Sequence, residues 1–143
     1  MAERYSSVIS EGGRFSLNQD NGQMHVIYLP GDRSFSRDQI DTVLLLLKKF
    51  GEWLYCRSVP PVRVMLNFTV ADSEVDEYQR AYGCLPEFGA DKNVLVLGDS
   101  IIDASYFGEA IGMSLETPTL KAEELIKFLL KFESRFINNI SLI

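Results

Sequence analysis

The side chains that could do chemistry are few and scattered along the chain. His25 is the only histidine. One imidazole excludes a multi-histidine metal site and leaves little room for a nucleophile–base dyad. It lies in Met24-His25-Val26-Ile27-Tyr28-Leu29, a strand-like run where the ordinary role is a half-buried side chain bonded to a neighbour. The two cysteines, Cys56 and Cys84, have no CxxC spacing and read as ordinary thiols of a reducing compartment. The carboxylates Asp72, Glu74, Asp76 and Glu77 are close in sequence, but they open a short helical pattern, and a first helical turn attracts acids. Asp91, Asp99 and Asp103 hold turn and strand-end positions. Leu97-Gly98-Asp99-Ser100 has one glycine and no nearby lysine, far short of a phosphate loop, and no GxGxxG, GxSxG, HExxH or EF-hand pattern occurs. No enzyme activity, metal or cofactor is expected on these grounds.

Ligand binding is the remaining chemistry. Tyr28, Tyr55, Trp53 and Phe88 could line an apolar pocket or simply fill the core. Arg63 and Asn67 are more pointed. They share the face of a strand opposite its core face, so they converge on a ligand if that face lines a cavity and carry no meaning if it meets water. Tyr28, Arg63, Asn67 and Phe88 are therefore the candidate ligand-binding residues.

The elements that must position them are legible in the pattern. Arg14 to Asn18 and Met24 to Leu29 form a hairpin about Asp20-Asn21-Gly22. Ser36-Arg37-Asp38-Gln39 fits a capping box. It opens a helix to about Tyr55, with Ile40, Val43, Leu44 and Leu47 on its apolar stripe and Asp38, Asp41, Lys48, Lys49 and Glu52 on its wet side. Gly51 inside it is a close-packing spot or an early end. Val62, Val64, Leu66 and Phe68 mark the core face of a central strand, and a short helix over Glu74 to Tyr82 stops at Gly83. Leu85 to Asp103 reads as a strand, a turn at Ala90-Asp91-Lys92-Asn93 and a second strand, Val94-Leu95-Val96-Leu97, apolar enough to be buried on both faces. A helix follows around Tyr106 to Ile111. The last helix, Thr119 to Phe136, has Thr117 as cap and Pro118 at its first position. Met1 to Gly13 has the look of a helical tail. The order is β-β-α-β-α-β-β-α-α. It predicts an α+β fold with a largely antiparallel or mixed sheet of about five strands and helices packed on it.

The 143 residues suit one domain. With 20 acidic against 14 basic residues the formal charge is -6, a sign that repels phosphate backbones and makes this chain a poor nucleic-acid binder by itself. The polar start has no leader-like apolar segment. The longest apolar run, Val43 to Leu47, is too short to span a bilayer, so a soluble cytoplasmic protein without membrane contact is expected.

Taken in order, several motifs resemble the N-terminal effector-binding domain of AraC-type bacterial transcription regulators, in the arabinose-binding-like branch that includes regulators of ornithine utilisation. The carriers are the hairpin GRFSLNQDNGQMHVIYL, the long helix, Pro61-Val62-Arg63-Val64, the segment Tyr78-Gln79-Arg80-Ala81-Tyr82-Gly83, and Phe88-Gly89-Ala90 with Asn93 before an apolar strand. The chain departs from the family at Phe68-Thr69-Val70-Ala71-Asp72, where His-x-x-Pro often stands, and no role of that His or Pro carries over. The resemblance implies a single regulatory domain over residues 1–143, sensing an unidentified small-molecule effector and pairing as a homodimer. DNA would be read only through a helix-turn-helix domain not present here. The alternative is a stand-alone small-molecule-binding or protein-interaction module.

Overall fold

A computed structural model describes residues 12–31, 35–56, 58, 61–98, 104–113 and 119–141, with residues 104 and 135–141 described by backbone alone. Strands β1 (Arg14–Asp20) and β2 (Gln23–Leu29) form the expected hairpin. Asn21 and Gly22, at φ 51° and 75°, supply the two positive-φ positions that match the turn to the strands' twist. The register sets Phe15 opposite Tyr28 and Leu17 opposite Val26. Helix α1 (Arg37–Leu54) starts at the predicted capping box: Ser36 Oγ accepts the Gln39 N–H at 3.3 Å and Gln39 Oε1 accepts the Ser36 N–H at 2.8 Å. Ser36→Ala is expected to lower stability by about 1 kcal/mol, read from urea midpoints at unchanged slope. A loss below a few tenths would mean that packing alone fixes this helix end.

Strand β3 (Pro61–Met65), a 3₁₀ turn (Asp72–Glu74) and helix α2 (Val75–Tyr82) follow. Then come β4 (Val94–Leu97), α3 (Ala104–Ala110), β5 (Thr119–Lys121) and α4 (Ala122–Ser141). The five strands form one open antiparallel sheet in the order β3-β4-β2-β1-β5. The α+β class and the five-strand count are as the sequence predicts, but β3, expected as a central strand, ends at Met65 and lies at the sheet edge, and other segments differ as well. Leu85 to Gly89 is no regular strand. Pro86 lacks an N–H, and the segment makes an isolated parallel bridge, Met65 to Glu87. Glu87 N–H donates to Val64 O at 2.8 Å and Glu87 O accepts the Leu66 N–H at 3.0 Å, so the segment covers the outer edge of β3. The fifth strand is instead Thr119–Lys121, expected to be helical. It pairs with β1, setting Leu120 opposite Phe15, and the helix begins after it, at Ala122. The Thr117–Pro118 cap and the tail before Gly12 lie outside the described residues.

One sheet face carries Phe15, Met24, Val26, Tyr28, Val64, Leu66, Leu95 and Leu97 into the core, where they meet Ile40, Leu44, Leu47 and Phe50 of α1, Phe107 of α3 and Leu125 and Leu129 of α4. All four β4 residues are buried, as a strand covered on both faces requires. Val62 departs from the expected alternation. A register shift between Pro61 and Arg63 turns it outward, to 55% exposure. It comes to rest over Gly98, where a Cβ would stand 2.0 Å from Val62 Cγ2. Gly98 is thus a close-approach glycine. Gly51 is a packing spot, its Cα hydrogen side facing the Phe107 ring, with 3.2 Å left for a Cβ.

Candidate functional site: two clefts on helix α1

Helix α1 presents two different faces to the rest of the helical layer. Arg37, Asp41 and Leu45 recur every fourth residue and face α2. Phe50, Trp53 and Leu54, a turn further on, face α3 and α4. Each set lines a cleft.

The first cleft, about 210 Å³, is polar. Its centre is the Asp41 carboxylate. Tyr78 and Tyr82, four residues apart on α2, both donate their hydroxyls to it, Tyr82 to Oδ1 at 2.7 Å. Arg37 Nε donates to the Tyr78 hydroxyl at 3.1 Å, and its Nη2 pairs with Glu74 at 2.7 Å. The guanidinium also lies over the Phe68 and Tyr78 rings, at 5.5 and 5.7 Å from their centroids. It holds the Glu74 carboxyl below its ordinary value. Burial, reinforced by the bond to Asp41, pushes the Tyr78 phenol up to about 12. Burial and the Asp41 charge push Tyr82 higher still. The groups at the centre of the cleft, Arg37, Asp41, Glu74, Tyr78 and Tyr82, are therefore matched to one another.

Its alkaline behaviour follows from the sign of these shifts. A phenol whose pKa is raised by folding contributes stability that is complete below the unfolded value near 10 and is lost as pH rises through the folded value. The domain is expected to hold its stability to about pH 10 and to lose it between there and about 12. In an absorbance titration of the six tyrosines, a late phase should coincide with unfolding and shrink in Tyr78→Phe. Ionisation of all phenols together near pH 10, in a still-folded protein, would contradict the network.

The second cleft is an apolar groove of about 380 Å³ between the end of α1, Ala110 of α3, and Phe128, Lys131 and Phe132 of α4. Phe50, 3% exposed, is its floor. Its ring meets Phe107, Phe128 and Phe132 edge-on at centroid distances of 5.6, 5.6 and 5.1 Å, the favoured aromatic geometry. Trp53 stands at the lip, half-exposed, 5.0 Å from Phe132.

The four candidate residues from the sequence line neither cleft. The Tyr28 hydroxyl is buried. It donates to Gly12 O at 2.6 Å and accepts the Phe35 N–H at 2.7 Å, tying the chain entering β1 to the start of α1. Arg63 lies on the opposite sheet face, in a two-point pair with Glu87 whose longer contact is 2.9 Å. Asn67 is exposed, and its N–H donates to the buried Asn93 Oδ1 at 3.0 Å. Phe88 packs edge-on against Tyr78 at 5.5 Å. Arg63, Asn67 and Phe88 come from adjoining segments beside β3, while Tyr28 points into the core. Asp41 and Tyr82 carry no functional mark in the sequence. Asp41 reads as one more charge on a wet helix face, and only the Tyr78–Tyr82 spacing on α2 hints at a shared acceptor. Among the described residues no group of three His, Cys, Asp or Glu is placed to hold a metal, and no helix is long and apolar enough to cross a membrane.

The family described as the arabinose-binding domain of AraC transcription regulators, N-terminal, matches residues 1–105. The chain belongs to that family, whose members are regulatory ligand-binding domains of transcription factors. Comparison with curated proteins and with solved structures yields no significant match. The matched span contains β1 to β4, α1 and α2. Helix α4, one wall of the apolar groove, lies beyond it.

Proposed function

We propose that the chain is the effector-sensing, non-catalytic domain of a bacterial, cytoplasmic AraC-type regulator. The family match over residues 1–105 carries this reading. A small molecule seated against α1 would favour one arrangement of the helical layer over another, by as much as its affinity differs between the two. Helix α4, packed on α1 and joined to the sheet through β5, is the element placed to pass that change on. The domain would act as a homodimer. Its charge of -6 supports a scheme in which a separate helix-turn-helix part makes the DNA contact. Tyr28, Arg63, Asn67 and Phe88 serve the scaffold in this scheme, because Tyr28, Arg63 and Phe88 are occupied by protein partners and the Asn67 side chain faces water. The coding sequence downstream of Ile143 tests the reading. Two helix-turn-helix patterns are expected there, and their absence would leave a stand-alone binding module. A thermal-shift screen of the full regulator against amino acids, sugars and carboxylic acids tests the sensing itself. A true effector at about 100 times its Kd should add about 2.7 kcal/mol.

A further inference from the structure

The lining of the apolar groove is selective about what it could hold. Phe50, Leu54, Ala110, Phe128 and Phe132 offer no side-chain hydrogen bond, and Trp53 offers a single N–H. A sugar or other polyol seated here would find only the Trp53 N–H and the Lys131 ammonium to meet its hydroxyls, so the lining favours an apolar body over it. The one charge in the lining is Lys131. Lys48, elsewhere on α1, is held by Glu52 at 3.5 Å. Lys131, by contrast, makes no ion pair among the described residues. It is a cation at the edge of an aromatic trough, in a chain whose net charge is negative. The volume of about 380 Å³ falls in the range of small-molecule sites.

We propose that this groove is the effector seat and that the effector is a hydrophobic monoanion: an aromatic or branched apolar body lying against Phe50, Trp53 and Phe132, with one carboxylate paired to Lys131 Nζ. The proposal rests on the regulatory reading above and narrows it. The seat joins the end of α1 to the middle of α4, so occupancy bears directly on how these two helices pack.

Trp53 is the only tryptophan and sits at the lip, so its emission reports the groove without labelling. The full regulator is titrated with phenylbutyrate, with the uncharged phenylbutyramide and with L-arabinose, while emission and thermal midpoint are followed. Phenylbutyrate should shift Trp53 emission saturably. The amide should bind at least about threefold more weakly, Lys131→Gln should weaken the acid by a similar factor, and Lys131→Arg should keep most of its affinity. No emission change with phenylbutyrate would overturn the proposal. So would equal binding of acid and amide, indifference to Lys131→Gln, or an emission change that follows protein concentration without any probe, which would mean that a second copy fills the groove. Stabilisation by L-arabinose with silent Trp53 would overturn the groove assignment and leave the regulatory reading standing. Absence of a helix-turn-helix domain from the gene would remove the regulatory reading and leave the titrations as they are.

Discussion

Phe50→Ala is expected to destabilise the domain by about 3–5 kcal/mol, enough to move the thermal midpoint by more than about 10 °C. The size follows from position. Phe50 is 3% exposed and touches the aromatic rings of three different helical turns: Phe107 on α3 and Phe128 and Phe132 on α4. Its removal leaves a cavity where α1, α3 and α4 meet, and rings that interlock edge-on cannot close it by small shifts. Trp53, 5.8 Å from the Phe50 centroid, should show altered emission in the native state of the variant. Phe50→Leu, keeping most of the volume, should recover more than half of the loss. A cost of under about 1 kcal/mol for Phe50→Ala would mean that the three helices do not share this anchor.

Asp41→Ala is expected to cost about 2–4 kcal/mol. Two tyrosine hydroxyls donate to its carboxylate, and one of them, Tyr82, belongs to a fully buried side chain. The variant leaves that hydroxyl without an acceptor in a low-dielectric setting, which is worse than never having made the bond. A double-mutant cycle separates this from simple loss of charge. Tyr82→Phe alone should cost about 1 kcal/mol, and in the Asp41→Ala background it should cost nothing or become stabilising, because no orphan donor remains. Additive effects of the two changes would show that the carboxylate and Tyr82 act independently and that the bond contributes little.

Where local chemistry decides structure, the residues announced it. Asn21-Gly22 could only be a tight turn, Ser36 with Gln39 could only profitably be a cap, and Val94-Leu95-Val96-Leu97 is buried throughout. The misreadings occur where tertiary pairing overrides local pattern. Thr119-Leu120-Lys121 has helical surroundings, yet the free edge of β1 takes it as a strand. Glu87 pairs with both Val64 and Leu66 like a strand residue, but Pro86 before it keeps the segment from a regular ladder. Val62 alternates perfectly in sequence and is turned outward by a one-residue register shift. The candidate site was less legible for a related reason. Arg63 lies in β3 while Asn67 lies beyond its end, and what each one meets depends on residues distant in sequence: Glu87 for the Arg63 side chain, Asn93 for the Asn67 backbone N–H. The groove on α1 was hidden by its own composition. Phe50, Trp53 and Leu54 read as core stripe, and only the packing of α3 and α4 shows that they outrun the helices that cover them.

Amide and side-chain chemical-shift mapping on the regulator, with whichever compound raises its thermal midpoint most, tests most directly where the effector sits. Perturbations are expected at Phe50, Trp53, Leu54 and Phe132, with weaker echoes along α4 towards Ala122. Perturbations centred on Arg63, Asn67 and Phe88, with the α1–α4 groove silent, would contradict the account and return the site to the strand face beside β3.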